Sequence, residues 1–303
     1  MSKHRGKRKS AACALGTLAL AAALTGMTSP ANAERQGPPT AMTPTQVAAN
    51  FTIYVGGLLF VEGKFDARIQ RDDYHLSTQM TTAGLAARFY PADYKLTSEG
   101  MFAAEHVEPR RFFSDTKTKD DARVLTMTYA KNRVPHLSAT PPYDANHLKD
   151  VKPALQFNTQ DPVSAFLVPV SGATNPCKRT IPVFDGRRRF NLKLAYLGTK
   201  KMSVPDAAKP EGSAATPVEA IVCSIRYEAI APIEKKRRFT KMLRQNNDMK
   251  VWLAPFDEGR VYIPIRFELT TPLGSAVLRL QNLSERQVVD INPDKELSLA
   301  VQN

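Results

Sequence analysis

Beyond residue 33, two of the three cysteines, four of the five histidines and two pairs of adjacent aspartates are the side chains with the most chemistry open to them. Cys177 and Cys223 suit a covalent bridge, His75, His106, His136 and His147 suit metal binding or proton transfer, and Asp72-Asp73 and Asp120-Asp121 suit cation or acid-base work. Their spacing decides against most of this. No two histidines stand at the i, i+4 separation that puts two ligands on one helix face. His136 and His147 share a proline-bearing stretch from Val134 to Pro153, read as a long surface loop, and His75 falls opposite the apolar face of its strand. Both aspartate pairs sit where turns are expected, and aspartate is favoured there because it bonds its own backbone. Gly-x-Ser-x-Gly, phosphate-loop and zinc-protease patterns are all missing, and Gly56-Gly57 suits a strand bulge. With no acid, base and nucleophile set to assign, the expectation is a protein that is not an enzyme, with no catalytic residues, no metal site and no cofactor.

Stepping outward from these residues, the first segment is an address. Lys3, Arg5, Lys7, Arg8 and Lys9 precede an apolar run from Ala11 to about Met27, and Ala31-Asn32-Ala33 has the small-x-small form of a cleavage site, so residues 1–33 are read as a cleaved secretory signal peptide. The run is shorter than a bilayer span and ends at Ser29-Pro30. Export to the periplasm follows, and no transmembrane segment is expected after cleavage. The whole chain carries +13; without the leader 37 basic residues face 29 acidic ones, leaving +8. That balance favours anionic neighbours without specifying one. In an oxidising compartment Cys177 and Cys223 are expected to form a disulfide, the other reading being two buried thiols.

The elements that must position any site read mostly as strands. Residues 34–50 read as a polar leader and a short helix, with Thr43 capping and Pro44 in the first turn. From Phe51 the pattern alternates: Phe51, Ile53 and Val55; Phe65, Ala67 and Ile69; Tyr74, Leu76, Thr78 and Met80. Thr81 to Tyr90 breaks the alternation and predicts a short helix with Leu85, Phe89 and Tyr90 on one side. Asp161-Pro162 is the clearest helix start, leading into an apolar segment that Pro169 ends. Cys177 to Tyr196 predicts a hairpin turning at Asp185-Gly186, with Phe190, Leu192, Leu194 and Tyr196 on its buried face. Lys200 to Thr216 reads as an exposed loop, Val218 to Ile230 as a long strand, and Met249 to Leu283 as a final antiparallel group. Residues 51–283 are thus expected to form a single mainly β domain: a large curved antiparallel sheet or half-open, spiral β-barrel of roughly a dozen strands around one or two short helices. Residues 284–303 are expected to trail as a polar tail.

YVGGLLFVEGKF, TTAGLAARFYPADYKLTSEG, NTQDPVSAF, PVFDGRRRFNL, VWLAP and PIRFELTTPLGSAVLRL follow one another in an order that resembles a family of bacterial envelope proteins known only as domain of unknown function 3108. The similarity runs from about Phe51 to Leu283, and its most specific pieces are the QDP helix start, the VFDGRR hairpin and the TPLGS turn. It implies an exported, β-rich protein of unassigned activity and supplies no catalytic residues.

Function is then expected from shape and charge. Phe89, Tyr90, Phe166, Leu167 and Trp252 are candidates to line an apolar cup for an acyl chain, the alternative being that they fill a core. Arg187, Arg188 and Arg189 at the hairpin tip, with Lys235, Lys236, Arg237 and Arg238, are candidates to meet an anionic surface. The expected role is a non-enzymatic periplasmic protein that binds a hydrophobic or amphiphilic envelope molecule, or an envelope partner, and supports envelope integrity. The alternative is a scaffold that contacts a protein or acidic glycan through its basic clusters. Nucleic acid is not an expected partner.

Overall fold

A computed structural model describes residues 43–130, 134–143, 151–205, 215–232 and 238–287. The signal peptide expected over residues 1–33 lies outside the described residues. Fourteen strands form one antiparallel sheet: β1 (Thr45–Val55), β2 (Leu58–Ile69), β3 (Asp73–Thr82), β4 (Ala92–Ala103), β5 (His106–Thr118), β6 (Ala122–Thr128), β7 (His136–Thr140), β8 (Val168–Pro169), β9 (Thr180–Phe184), β10 (Arg189–Val204), β11 (Thr216–Ala231), β12 (Lys250–Phe256), β13 (Val261–Thr271) and β14 (Gly274–Gln287). Two helices join them, α1 (Gly84–Phe89) between β3 and β4 and α2 (Arg238–Gln245) between β11 and β12.

The strand order is β7-β6-β5-β4-β3-β2-β1-β14-β13-β12-β11-β10-β9, with the two-residue β8 pairing β13. Two runs of neighbouring hairpins are stitched together where β1 meets β14. Register shifts at Asn50/Phe51 and Ile53/Tyr54 in β1, Trp252/Leu253 in β12 and Tyr196/Gly198 in β10 are bulges, which bend a strand and raise its twist. The bends bring distant parts of the sheet together: Leu125 of β6 and Leu137 of β7 lie against Gly186, at the tip between β9 and β10.

Alternation along the strands fills the space inside the curve. Val47 and Phe51 of β1, Phe65, Ala67 and Ile69 of β2, Tyr74 and Leu76 of β3, Leu125 and Met127 of β6, and Ile263 and Ile265 of β13 belong to one core, joined by Val163, Leu167, Phe184 and Trp252. The middle strands of the second run bury both faces. β12 sends Trp252 and Ala254 into this core and Val251 and Leu253 into a second, with Cys177, Ile181, Leu194, Cys223, Ile225 and Tyr227. The Cys177–Cys223 disulfide, with its Cα atoms 5.4 Å apart, pins the segment before β9 to that second face.

The mainly β reading holds, and several local readings need correction. The helix expected before Asn50 is instead the start of β1, because Thr45, Val47 and Ala49 alternate into the core. The stretch read as a proline-bearing surface loop contains β7, paired along β6. β10 continues to Val204 and β11 begins at Thr216, so the two ends of the loop read from Lys200 to Thr216 are strand; residues 206–214 lie outside the described residues. β14 runs to Gln287, beyond the expected start of the tail at Ser284. The apolar segment after Asp161 is a single 3-10 turn, Ser164–Phe166, and leaves at once as β8.

Candidate functional site

The five side chains expected to line an apolar cup do not converge. Leu167 and Trp252 are buried in the main core, whereas Phe166 is 43% exposed and Phe89 and Tyr90 are exposed on the outside of the sheet end. The cause lies in α1: its six residues offer only Ala86 inward, so Leu85, Phe89 and the following Tyr90 are left outside. Among the described residues, the inside of the curve holds the packed core to which Leu167 and Trp252 belong.

The arginines of the β9–β10 tip are likewise committed within the fold. The tip is a four-residue link, Asp185 to Arg188, and not a two-residue turn at the expected Asp185-Gly186. Asp185 N–H donates to the Arg188 carbonyl at 3.1 Å, Asp185 Oδ1 accepts the amides of Arg187 (2.9 Å) and Arg188 (2.6 Å), and only Gly186 has a positive φ. Arg188 Nε pairs with Asp185 at 3.0 Å, Arg187 lies over the Tyr143 ring, and Arg189 donates to the carbonyls of Leu155 and Phe190 and to Asn191. All three are half-buried, so they do not project as a solvated cluster. Lys235, Lys236 and Arg237 lie outside the described residues, and Arg238 opens α2 exposed.

A buried polar set lies where the chain enters the 3-10 turn. Asp161, fully excluded from solvent, accepts the amides of Val163 and Ser164 on Oδ1 (2.8 and 2.9 Å) and the Ser98 hydroxyl on Oδ2 (2.7 Å). Burial pushes its pKa above 3.8, with these donors opposing. Tyr74 Oη is 3.5 Å from Ser98 Oγ, and burial together with the Asp161 charge raises the pKa of Tyr74 and of Tyr129. Closed to solvent, this set fixes the QDP turn to β4 and presents nothing to a substrate.

The outer face of β1 to β4 is different. Residues 50–52, 62–64, 79–81 and 93–95, with Gln281, line a groove of about 490 Å³; alternation turns Asn50, Thr52, Glu62, Lys64, Gln79, Thr81, Asp93 and Lys95 away from the core, and Phe51, Met80 and Tyr94 toward it. Register sorts the charges into two rows. Asn50, Lys64, Gln79 and Lys95 are cross-strand neighbours, and so are Thr52, Glu62, Thr81 and Asp93. Two strand residues separate the rows, about 7 Å. Glu62, Lys64, Asp93 and Lys95 have no ion-pair partner within 4 Å among the described residues, although Lys117 and Asp115 stand beside Asp93 and Lys95 across β5. Gln281 donates to Thr52 Oγ1 at 2.6 Å at one wall. A second hollow, of about 560 Å³, lies farther along β2 to β5, but its charges are paired: Arg110 with Asp73 at 3.2 Å and His75 with Glu99 at 3.8 Å.

Among the described residues, no group of three or more histidine, cysteine, aspartate or glutamate side chains is gathered to hold a metal. His136 begins β7, and His147 lies outside the described residues. Sequence reasoning did not single out the groove residues as a site. Their signal was present as Glu62-x-Lys64, Gln79-x-Thr81 and Asp93-x-Lys95, polar positions at period two; which strands they would meet on was not.

No functionally curated protein matches the chain. Among solved structures, a β-barrel-like protein of domain of unknown function DUF1849 from Brucella abortus aligns at 12% identity with a TM-score of 0.39, over 82% of this chain and 98% of that one. The family model described as "Protein of unknown function (DUF3108)" matches residues 50–281, from β1 to β14, and the chain belongs to that family.

Proposed function

We propose that this is a non-enzymatic binding protein of the cell envelope whose ligand is an amphiphile held in the outer groove of β1 to β4. One observation supports the reading above others: the core is packed, while the outer groove holds charged side chains that have no ion-pair partner among the described residues. Its volume falls in the range of small-molecule sites, about 300 to 1,000 Å³. Lys64 and Lys95 offer charge to an anionic head group, and their alkyl stems offer apolar surface beside it. The half-buried, partnered state of Arg187, Arg188 and Arg189 argues against the scaffold reading, which needs them free. Export through the leader is part of the proposal, with the mature chain beginning at Glu34 and working in the periplasm.

The test is to purify the protein from its own envelope and analyse it by native mass spectrometry and solvent extraction, with Lys64→Glu/Lys95→Glu beside it. The expected result is a bound amphiphile on the parent protein and its loss from the variant. A parent that is repeatedly empty, or a variant that keeps the same lipid, would end the proposal.

A further inference from the structure

A different observation lies at the end of the sheet. Leu58, Leu85, Phe89, Tyr90 and Leu273 are 58 to 75% exposed, and the connectivity places all five at one end. The β1–β2 tip, α1 between β3 and β4, and the β13–β14 tip leave their strands on that side. The two tips are fused. Gly56 N–H donates to the Ser275 carbonyl at 3.0 Å, and a Cβ on Gly56, whose φ is +58°, would lie 2.3 Å from the Leu273 carbonyl oxygen, so only glycine fits. Exposed large apolar side chains on such fixed supports are surface meant to be covered.

What surrounds them is basic. α2 leaves β11 on the same side, and its exposed side chains include Arg238, Lys241 and Arg244, with the buried Thr240 and half-buried Met242 and Leu243 turned to the sheet. Asn246, just past it, donates to the Thr270 carbonyl at the end of β13 at 2.6 Å, which ties α2 to this end. Arg88 is exposed on α1. Across the two tips and the two helices, up to β12, the described acid is Asp248; Asp93, exposed at the start of β4 three residues past Tyr90, is the nearest other one in sequence, and farther along the β5–β6 tip sets Lys119 against Asp120 and Asp121.

We propose that this end of the sheet rests on an anionic lipid bilayer, with Leu58, Leu85, Phe89, Tyr90 and Leu273 entering the head-group region and Arg88, Arg238, Lys241 and Arg244 meeting lipid phosphates. A second copy of the chain is the wrong occupant, because it would bring the same positive charges against these. The inference stands on the sheet end alone and does not require the groove to hold a ligand.

The test uses tryptophan as a depth probe in the full chain. The native Trp252 is buried and supplies a constant background. Leu273→Trp and, separately, Phe89→Trp report on the proposed end, and Arg71→Trp, in the exposed turn between β2 and β3, reports on the opposite one. Each is mixed with vesicles of equal parts phosphatidylcholine and phosphatidylglycerol carrying brominated acyl chains. The expected result is a blue shift and loss of most of the added emission for Leu273→Trp and Phe89→Trp and none for Arg71→Trp, an effect weakened by salt and in pure phosphatidylcholine. Three results would overturn the proposal: equal quenching at both ends, silence at all three positions, or a shift that follows protein concentration without vesicles. If the N-terminal apolar run alone tethers the chain, Arg71→Trp responds as Leu273→Trp and Phe89→Trp do, so that case is told apart.

Discussion

Removing the Asp161 carboxylate measures how much of the fold depends on the QDP turn. In Asp161→Ala the amides of Val163 and Ser164 lose their acceptor inside a closed core, and the Ser98 hydroxyl keeps only the Tyr74 oxygen, 3.5 Å away. An unsatisfied buried donor costs about 1 to 3 kcal/mol. Two amides and a partly compensated hydroxyl therefore predict a loss of about 3 to 5 kcal/mol, large against the usual 5 to 15 kcal/mol of total stability. Asp161→Asn keeps an oxygen for both amides and is predicted to stay within about 1 kcal/mol of the parent at neutral pH. The pH dependence follows from the raised pKa. The folded state holds the proton more tightly than the unfolded chain does, so Asp161 contributes most below its ordinary value of 3.8 and loses that contribution as the pH rises through its folded value. The stability of the parent relative to Asp161→Asn should therefore fall as the pH is raised from acid to neutral. Urea unfolding with the disulfide intact, compared at equal slope, gives each number. A loss below about 1 kcal/mol for Asp161→Ala, or a parent that gains on Asp161→Asn as pH rises, would refute the reasoning.

Other expectations follow from the same contacts. Replacing Cys177 and Cys223 together by serine opens a loop of 46 residues and should lower stability by about 4 kcal/mol in the chain-entropy account, read as a shift in the denaturant midpoint. Gly63→Ala places a Cβ 2.3 Å from Phe51 Cζ and should cost about 1 to 3 kcal/mol, with Phe51→Leu restoring part of it in the double variant. Lys64→Glu/Lys95→Glu alters exposed side chains with no ion pair but sets a like charge opposite Asp115, so its melting temperature should fall only slightly while ligand retention is lost.

What could be read from the sequence was what rests on local periodicity. Phe65, Ala67 and Ile69, and Tyr74 and Leu76, alternate because one face of an antiparallel strand is packed, and the pattern survives into the structure unchanged. Asp161 was legible as a cap; that its second oxygen would hold Ser98 of β4 was not, because that contact spans 63 residues and needs the sheet to close. α2 was missed although Met242 and Leu243 with Thr240 mark a helical face, since the charge of the segment masked its period. The lining residues found outside are Phe89, Tyr90 and Phe166. Large apolar type suggested an inward side chain, but α1 is too short to turn more than Ala86 to the core, and the segment after Asp161 is a single 3-10 turn with Ser164 and Ala165 as its buried residues.

The central claim is that the interior is solid and the ligand lies outside it, on β1 to β4. A photoactivatable phospholipid, cross-linked to the purified protein and mapped by peptide mass spectrometry, tests this directly. Adducts within residues 50–52, 62–64, 79–81 and 93–95 are the predicted result. Adducts on the core residues Val163, Leu167, Trp252 or Phe256 would contradict it.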